Sequence, residues 1–133
     1  MQPEARVPIS SDIDIVHARQ TGRAFAAQVG FSNGDQTLVA TAVSELARNI
    51  VEYAQRGEII FQQVQQNGVS GICIVARDEG PGIADISLAM QDGYSSRRSL
   101  GLGLPGTKRI VDEFEVVSQL GNGTKVKITK WKR

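Results

Sequence analysis

Residues 69–82 read VSGICIVARDEGPG, an apolar run that breaks off into an acidic pair, two glycines and a proline. The core of the run, residues 72–76, is apolar on both faces, which is typical of the central strand of a sheet. The residues from Asp78 onward continue neither a strand nor a helix, because glycine and proline disfavour the interior of both. The segment therefore predicts a buried strand that carries a carboxylate into a tight loop.

Strand patterns occur on both sides of this segment. Asn67-Gly68 is a hairpin turn signal between two runs of strand-forming residues. Pro8 allows only an edge strand, because proline cannot donate to a β-ladder. In the last run apolar residues alternate with lysines, Lys130 among them, so all of these lysines are expected to face water. The predicted strands are residues 7–9, 58–66, 69–77, 114–119 and 124–131.

Helix patterns separate the strands. Ser11 begins a capping-box pattern at the start of the first helix. Asn33 and Gly34 indicate a turn before the second helix, and Gly57 is expected to end that helix. Pro105 is favourable in the first turn of a third helix. The predicted helices are residues 12–29, 35–54 and 105–113.

The order of these elements predicts the architecture. Strand, helix, helix, hairpin, helix and hairpin follow one another with antiparallel connections. We therefore expect an α/β two-layer sandwich, in which helices cover one face of a mixed, mostly antiparallel sheet. With 133 residues, of which 41% are hydrophobic, the chain is expected to form one domain over residues 1–133. No apolar run approaches the ~20 residues that span a bilayer, so a soluble cytoplasmic protein is expected.

Composition excludes several classes of function. The formal net charge of +1 gives no global field that would favour nucleic acid or an anionic membrane, and neither is expected as a partner. The lysines near the C-terminus indicate the wet face of a strand rather than a nucleic-acid site. His17 is the single histidine and Cys73 the single cysteine. A two-histidine metalloprotease, an internal disulfide and a cysteine-rich zinc site are therefore excluded.

A cluster of glycines, Gly101, Gly103 and Gly106, stands directly before the third predicted helix. Such a cluster bares backbone N–H groups at a helix N-terminus, which is a site for phosphate. The preceding residues are not strand-like, so a Rossmann dinucleotide fold is excluded, and the residues after Gly106 do not match a Walker A loop. Close packing of the glycines is the alternative explanation.

Asp78, with Gly80 and Gly82, forms a second motif. A carboxylate at the end of a buried strand, followed by glycines that let a ligand approach the backbone, suits recognition of a purine amino group. An ordinary turn at the end of a strand is the alternative.

Glu45 and Asn49 form a third motif on the second predicted helix, with Arg48 beside them. Residues four apart share one face of a helix, and an Asn inside a helix is unfavourable unless its amide binds something. Mg²⁺ prefers oxygen ligands and binds through few protein groups plus phosphates, so Asn49 is a candidate ligand. Glu45, one turn away, could accept the proton of an attacking hydroxyl. A solvated polar face is the alternative.

Together these motifs resemble the GHKL superfamily of ATPases and kinases, which has the Bergerat ATP-binding fold. Its N box resembles residues 45–49, its D-x-G-x-G box residues 78–82, its G-x-G box residues 101–103, and its closing Gly-Thr pair Gly123-Thr124. The motifs occur in the same order and cover essentially the whole chain. Within the superfamily, the chain is most similar to the small serine kinases related to anti-sigma factors, and among these to stressosome switch kinases.

The resemblance implies a role for each motif. Asn49 would chelate Mg²⁺, Glu45 would act as general base, and Asp78 would contact the adenine amino group. Residues 85–100 would form a mobile ATP lid, in which Arg97 and Arg98 depart from the small residues of the relatives. The other residues implied in nucleotide binding are Arg48, Gly80, Gly82, Ile83, Gly101, Leu102, Gly103, Leu104 and Thr124.

The resemblance also implies a function. The chain would be an ATP-dependent protein serine/threonine kinase that phosphorylates STAS-domain stressosome proteins. It would then be released to activate a PPM-class phosphatase in a partner switch. The alternative is an anti-sigma factor that sequesters a sigma factor in a nucleotide-dependent way. Both kinds of protein share every motif, so the motifs leave the two open.

Overall fold

A computed structural model describes residues 4–80, 103–118 and 123–132. These segments contain five strands and three helices. In chain order they are β1 (Glu4–Ile9), α1 (Asp12–Val29), α2 (Asn33–Tyr53), β2 (Gly57–Gln66), β3 (Val69–Asp78), α3 (Gly103–Ile110), β4 (Glu113–Ser118) and β5 (Thr124–Trp131).

The strands form one sheet in the order β1-β2-β3-β5-β4, and all four pairings are antiparallel. β3 is central and β1, which carries Pro8, is at an edge, as the sequence predicts. Asn67 and Gly68 join β2 to β3 with φ angles of 54° and 80°, the left-handed conformations that a two-residue hairpin turn requires. The predicted α/β two-layer sandwich is confirmed.

The core lies between the sheet and the two long helices. Phe25 of α1 and Phe61 of β2 pack with their ring centroids 6.0 Å apart. Gly22 lets α1 approach this closely, because an added Cβ would lie only 3.1 Å from the Phe61 ring. Phe61 is fully buried, which stabilises the fold by about 3 kcal/mol. We call the opposite side of the sheet, turned away from α1 and α2, the outer face.

α1 begins and ends where the sequence predicts. The Asp14 carboxylate accepts hydrogen bonds from the backbone N–H groups of Ser10 (2.9 Å) and Ser11 (3.2 Å), and these bonds lower the pKa of Asp14. Gly30 ends the helix at a φ of 103°, a left-handed conformation that glycine adopts without strain. Although α1 and α2 have 18 and 21 residues, no helix in the described segments is apolar enough to cross a membrane.

The predicted bounds of α2 are wrong at both ends. Asn33 and Gly34 lie in its first turn, because the Ser32 side chain caps the helix by accepting from the Asp35 N–H at 3.2 Å. The helix ends at Tyr53, and Gly57 belongs to β2. Tyr53, the last residue of the helix, is 55% exposed.

The predicted bounds of α3 and the predicted exposure of Lys130 on β5 are also wrong. α3 begins at Gly103 and ends at Ile110, since Glu113 already belongs to β4. Lys130 does not face water: its side chain is 13% exposed and its Nζ donates to the Ile110 carbonyl at 3.0 Å. Strand alternation places it on the helix side, where its charge satisfies the carbonyl end of α3.

Candidate functional site

α2 places the second-helix motif on one partly buried face. Glu45 is only 5% exposed, and Asn49, one turn later, is half-buried. Arg48 donates to the Glu45 carboxylate, with Nη1 and Oε1 3.0 Å apart. The ion pair offsets part of the cost of burying the Glu45 charge and fixes the direction of its carboxylate. The structure thus pairs Arg48 with the candidate base, and its predicted contact with a nucleotide stays a prediction.

Asp78 is the last residue of the central strand β3, which is one residue longer than the predicted strand 69–77. Its Oδ1 accepts a hydrogen bond from the Gly80 N–H at 2.9 Å, which bends the chain immediately after the strand. Gly57 and Thr124 lie opposite Asp78 on the two neighbouring strands. Because Oδ1 is engaged by the turn, Oδ2 is the oxygen available to a ligand's amino group.

Two glycines make room for this arrangement. Gly123 has a φ of 83°, and an added Cβ there would lie 2.1 Å from the Asp78 carbonyl oxygen. At Gly80 an added Cβ would lie 2.5 Å from the Cβ of Ala54, the residue that follows α2. The turn after Asp78 therefore packs on the end of α2, and this contact joins the Asp78 motif to the Glu45–Asn49 motif.

Thr124 is held by a neighbouring strand. The Thr124 and Ser118 hydroxyl oxygens are 2.8 Å apart, and Ser118 Oγ also donates to the Gly123 carbonyl at 3.1 Å. Ser118 was not singled out in the sequence; its register opposite Thr124 on β4 is a tertiary feature. The closing Gly-Thr pair is thus fixed at the end of the sheet beside Asp78.

A cleft of about 980 Å³ opens at this end of the sheet. Its lining includes Ala54, Asp78, Gly123 and Thr124, and it extends onto the outer face at Lys125. The volume lies at the upper end of the ~300–1,000 Å³ range of small-molecule sites. Glu45 and Asn49 do not line this cleft, so the candidate site has two halves, the α2 face and the cleft, with Ala54 on the cleft side of the end of α2.

The remaining predicted residues divide into two groups. Gly103 opens α3, which leaves its backbone amide at the helix N-terminus, whereas Leu104 is buried in the core. Gly82, Ile83, Gly101, Leu102 and residues 85–100 lie outside the described residues.

Sequence reasoning missed Glu52. Both of its carboxylate oxygens are buried, and neither has a hydrogen-bond partner. Glu52 follows Asn49 by three residues and Glu45 by seven, a spacing that returns to the same helix face. This spacing is the feature of the sequence that could have identified Glu52 as a candidate site residue.

The donor set fits a magnesium nucleotide. No group of three or more His, Cys, Asp or Glu side chains in the described segments could hold a metal ion by itself. Mg²⁺ ordinarily binds through one or two protein oxygens together with substrate phosphates. The Asn49 amide and the unpartnered Glu52 carboxylate suit an ion that arrives with phosphates, and the cleft at Asp78 suits the base of the nucleotide.

Comparison with known proteins identifies the family of the chain. Residues 9–130 match the model of the histidine kinase-like ATPase domain. The chain is 48% identical to the serine/threonine-protein kinase RsbT of Bacillus subtilis over 133 residues, which cover 100% of both chains. It is 35% identical to the anti-sigma F factor of Thermoanaerobacter sp. (strain X514), over 86% of this chain and 82% of that protein.

A solved structure shows the same fold. The RsbU and RsbW domains of Rv1364c from Mycobacterium tuberculosis align with a TM-score of 0.65 at 19% identity. The alignment covers 98% of this chain but 33% of that one, so this chain spans about a third of its length.

These similarities define the class of the protein: the chain belongs to the histidine kinase-like ATPase family. Membership in this family implies ATP binding. Within the family, the full-length similarity makes the chain a protein serine/threonine kinase.

Proposed function

We propose that this kinase transfers the γ-phosphoryl group of Mg-ATP to a serine or threonine of STAS-domain stressosome proteins. It is then released and activates a PPM-class phosphatase, which completes a partner switch. The observation that carries the catalytic part is the buried Glu45 carboxylate, oriented by Arg48 and one helical turn from Asn49. The full-length similarity to a serine/threonine-protein kinase supports transfer to a serine or threonine hydroxyl.

Each half of the site has a task in this proposal. Glu45 accepts the proton of the attacking hydroxyl, and Asn49 holds the metal through its amide oxygen. Asp78 receives the adenine amino group on Oδ2, beside Thr124. When bound, Mg²⁺ supplies neutralisation of phosphate charge, which is most of what phosphoryl transfer needs besides positioning. The other proposed nucleotide contacts are Arg48, Gly80, Gly82, Ile83, Gly101, Leu102, Gly103 and Leu104.

A transfer assay tests the proposal. The chain is incubated with Mg-ATP and purified STAS-domain proteins, and phosphoserine and phosphothreonine are measured by mass spectrometry. Glu45→Gln is expected to slow transfer about 10³-fold, the contribution typical of a general base, while ADP affinity stays within about threefold. Glu115→Gln, an exposed carboxylate on the outer face, serves as the matched control and should transfer at the wild-type rate. Absence of transfer by wild type, or full activity in Glu45→Gln, would contradict the proposal.

The second candidate is an anti-sigma factor, favoured by the 35% identity to an anti-sigma F factor over 86% of the chain. Such a protein would use ATP mainly to regulate its affinity for a sigma factor. A parallel pull-down against sigma factors, STAS-domain proteins and PPM-class phosphatases separates the two functions. Nucleotide-dependent capture of a sigma factor, without capture of a phosphatase, would favour sequestration.

A further inference from the structure

Glu52 is an unusual residue in the last turns of α2. Among the described residues, it alone has buried side-chain oxygens with no hydrogen-bond partner. Water cannot solvate these oxygens, and no described group neutralises them. Burying a carboxylate in this way opposes folding unless a cation or hydrogen-bond donor arrives. The unpartnered carboxylate therefore points to a ligand.

Its position on the helix says which side that ligand occupies. At about 100° per residue, Glu45, Asn49 and Glu52 fall within a sector of roughly 60° on α2. Asn49 and Glu52 are separated by a rise of about 4.5 Å along the helix axis. Their side chains can therefore reach one small ion between them.

Arg48, the nearest cationic residue on the same helix, does not pair with Glu52. Arg48 lies four residues earlier, a spacing at which it could pair with Glu52, yet it donates to Glu45 at 3.0 Å. Glu52 is also two residues before Ala54, the contact at which the Asp78 turn meets α2. The free carboxylate is thus at the junction between the two halves of the site.

We propose that Glu52 is a second protein ligand of the Mg²⁺ that accompanies the nucleotide, acting together with Asn49. An amide carries no net charge, whereas a carboxylate adds a negative charge that attracts the ion. Two oxygen ligands from one helix, completed by phosphates and water, match the coordination that Mg²⁺ prefers. The inference rests on the proposed function in one respect only, that a magnesium nucleotide binds beside Asn49.

The proposal predicts a change in the coupling between metal and nucleotide. ADP affinity is measured by calorimetry in Mg²⁺ and again in EDTA, and the ratio of the two dissociation constants gives the coupling. In Glu52→Gln the ratio is expected to fall about tenfold or more, as for other lost metal contacts. In EDTA the variant should bind ADP as tightly as wild type or more tightly, because a charge that repels phosphate is gone. Glu115→Gln, the exposed control, should keep the wild-type ratio.

The outcomes distinguish a failure of the proposed metal-ligand role of Glu52 from a failure of the proposed kinase function. An unchanged ratio in folded Glu52→Gln overturns the role of Glu52 and leaves the kinase intact. A reduced ratio in Glu52→Gln, together with no phosphoryl transfer by the wild-type protein, would support the metal site and contradict the kinase proposal. If Glu52→Gln does not fold, Glu52→Asp, which withdraws the carboxylate by one methylene, should reduce the ratio by a smaller factor. An unchanged ratio in Glu52→Asp would then overturn the proposal.

Discussion

Glu52 and Glu58 are six residues apart, yet the protein treats their charges in opposite ways. Glu58 lies on the outer face, where water could solvate it, and it is nevertheless paired with two arginines. Its Oε2 accepts from Arg77 at 2.6 Å and its Oε1 from Arg6 at 3.3 Å, and the Arg77 guanidinium holds the pKa of Glu58 below its ordinary value. The two carboxylate oxygens of Glu52 are buried and have no hydrogen-bond partner.

We interpret the paired Glu58 as a residue that stabilises the fold and the unpaired Glu52 as a residue that binds a ligand. Pairing Glu58 costs little, because both partners stay hydrated, and it returns a small stabilisation. Leaving Glu52 unpaired costs stability in the free protein, which a cation at the site would restore. Functional sites commonly carry such locally unfavourable residues. The face of α2 that bears Glu45, Asn49 and Glu52 therefore differs from the outer face in purpose as well as in burial.

The largest expected effect comes from removing the uncharged ligand on the same face. Asn49→Ala should weaken Mg-dependent ADP binding and phosphoryl transfer about 10³-fold, equivalent to ~4 kcal/mol, because the metal loses its amide oxygen. Calorimetry with and without Mg²⁺ measures the binding. Asn33→Ala, exposed in the first turn of the same helix, is the control and should bind normally. If the two variants bound Mg-ADP equally well, Asn49 would have no role in holding the metal.

The next effect concerns the end of the sheet that holds Asp78. Gly123→Ala should lower the free energy of unfolding by about 3 kcal/mol, through its left-handed backbone and a clash with the Asp78 carbonyl. Gly68→Ala is a matched control: its φ of 80° is similar, but no atom lies within 4 Å of the added Cβ. It should cost only about 1 kcal/mol. Equal losses in urea denaturation would show that packing against Asp78 does not constrain position 123.

A smaller effect, of opposite sign, is expected at Glu52. In metal-free and nucleotide-free buffer, Glu52→Gln should raise the free energy of unfolding by about 1–2 kcal/mol, since it removes a carboxylate whose buried oxygens have no partner. Urea denaturation of the two proteins measures the change, and Glu115→Gln should stay within about 0.5 kcal/mol of wild type. A destabilised Glu52→Gln would mean that the carboxylate is satisfied in the free protein.

The smallest effect is a pH dependence at Glu58. Its pKa is lowered in the folded protein from 4.5, so the pairing with Arg77 stabilises the fold above that pH. The stabilisation is lost as pH falls through the folded pKa. Glu58→Gln should cost about 0.5 kcal/mol at pH 7 and lose less stability than wild type on acidification below pH ~4.5. Parallel stability curves for the two proteins would contradict the pairing.

Much of the fold could be predicted from local sequence. The Asn67-Gly68 turn, the Pro8 edge strand and the central strand ending at Asp78 each depend on residues adjacent in the chain. The wrong bounds of α2 came from a competition between two local signals. Asn33-Gly34 indicates a turn, but the Ser32 cap satisfies the first N–H groups and draws both residues into the helix.

The features that the sequence did not reveal depend on tertiary contacts. In the sequence Lys130 continues a series of lysines that are expected to face water. In the structure its ammonium group donates a hydrogen bond to the Ile110 carbonyl at the end of α3. The pairing of Arg48 with Glu45, at 3.0 Å, is likewise a contact that the sequence did not predict. Glu52 has the spacing of a site residue, but only the structure shows that its carboxylate oxygens are buried without a hydrogen-bond partner.

One measurement tests the role of Glu52 directly: the affinity of Mn²⁺ for the ADP-loaded protein, followed by electron paramagnetic resonance, in Glu52→Gln and in Glu115→Gln, an exposed carboxylate that does not line the cleft. Mn²⁺ accepts the same oxygen ligands as Mg²⁺ and reports binding without any turnover. We predict a loss of about tenfold or more in Glu52→Gln and wild-type affinity in Glu115→Gln. Equal Mn²⁺ affinity in the two variants would contradict the claim that the unpaired charge on α2 serves the metal.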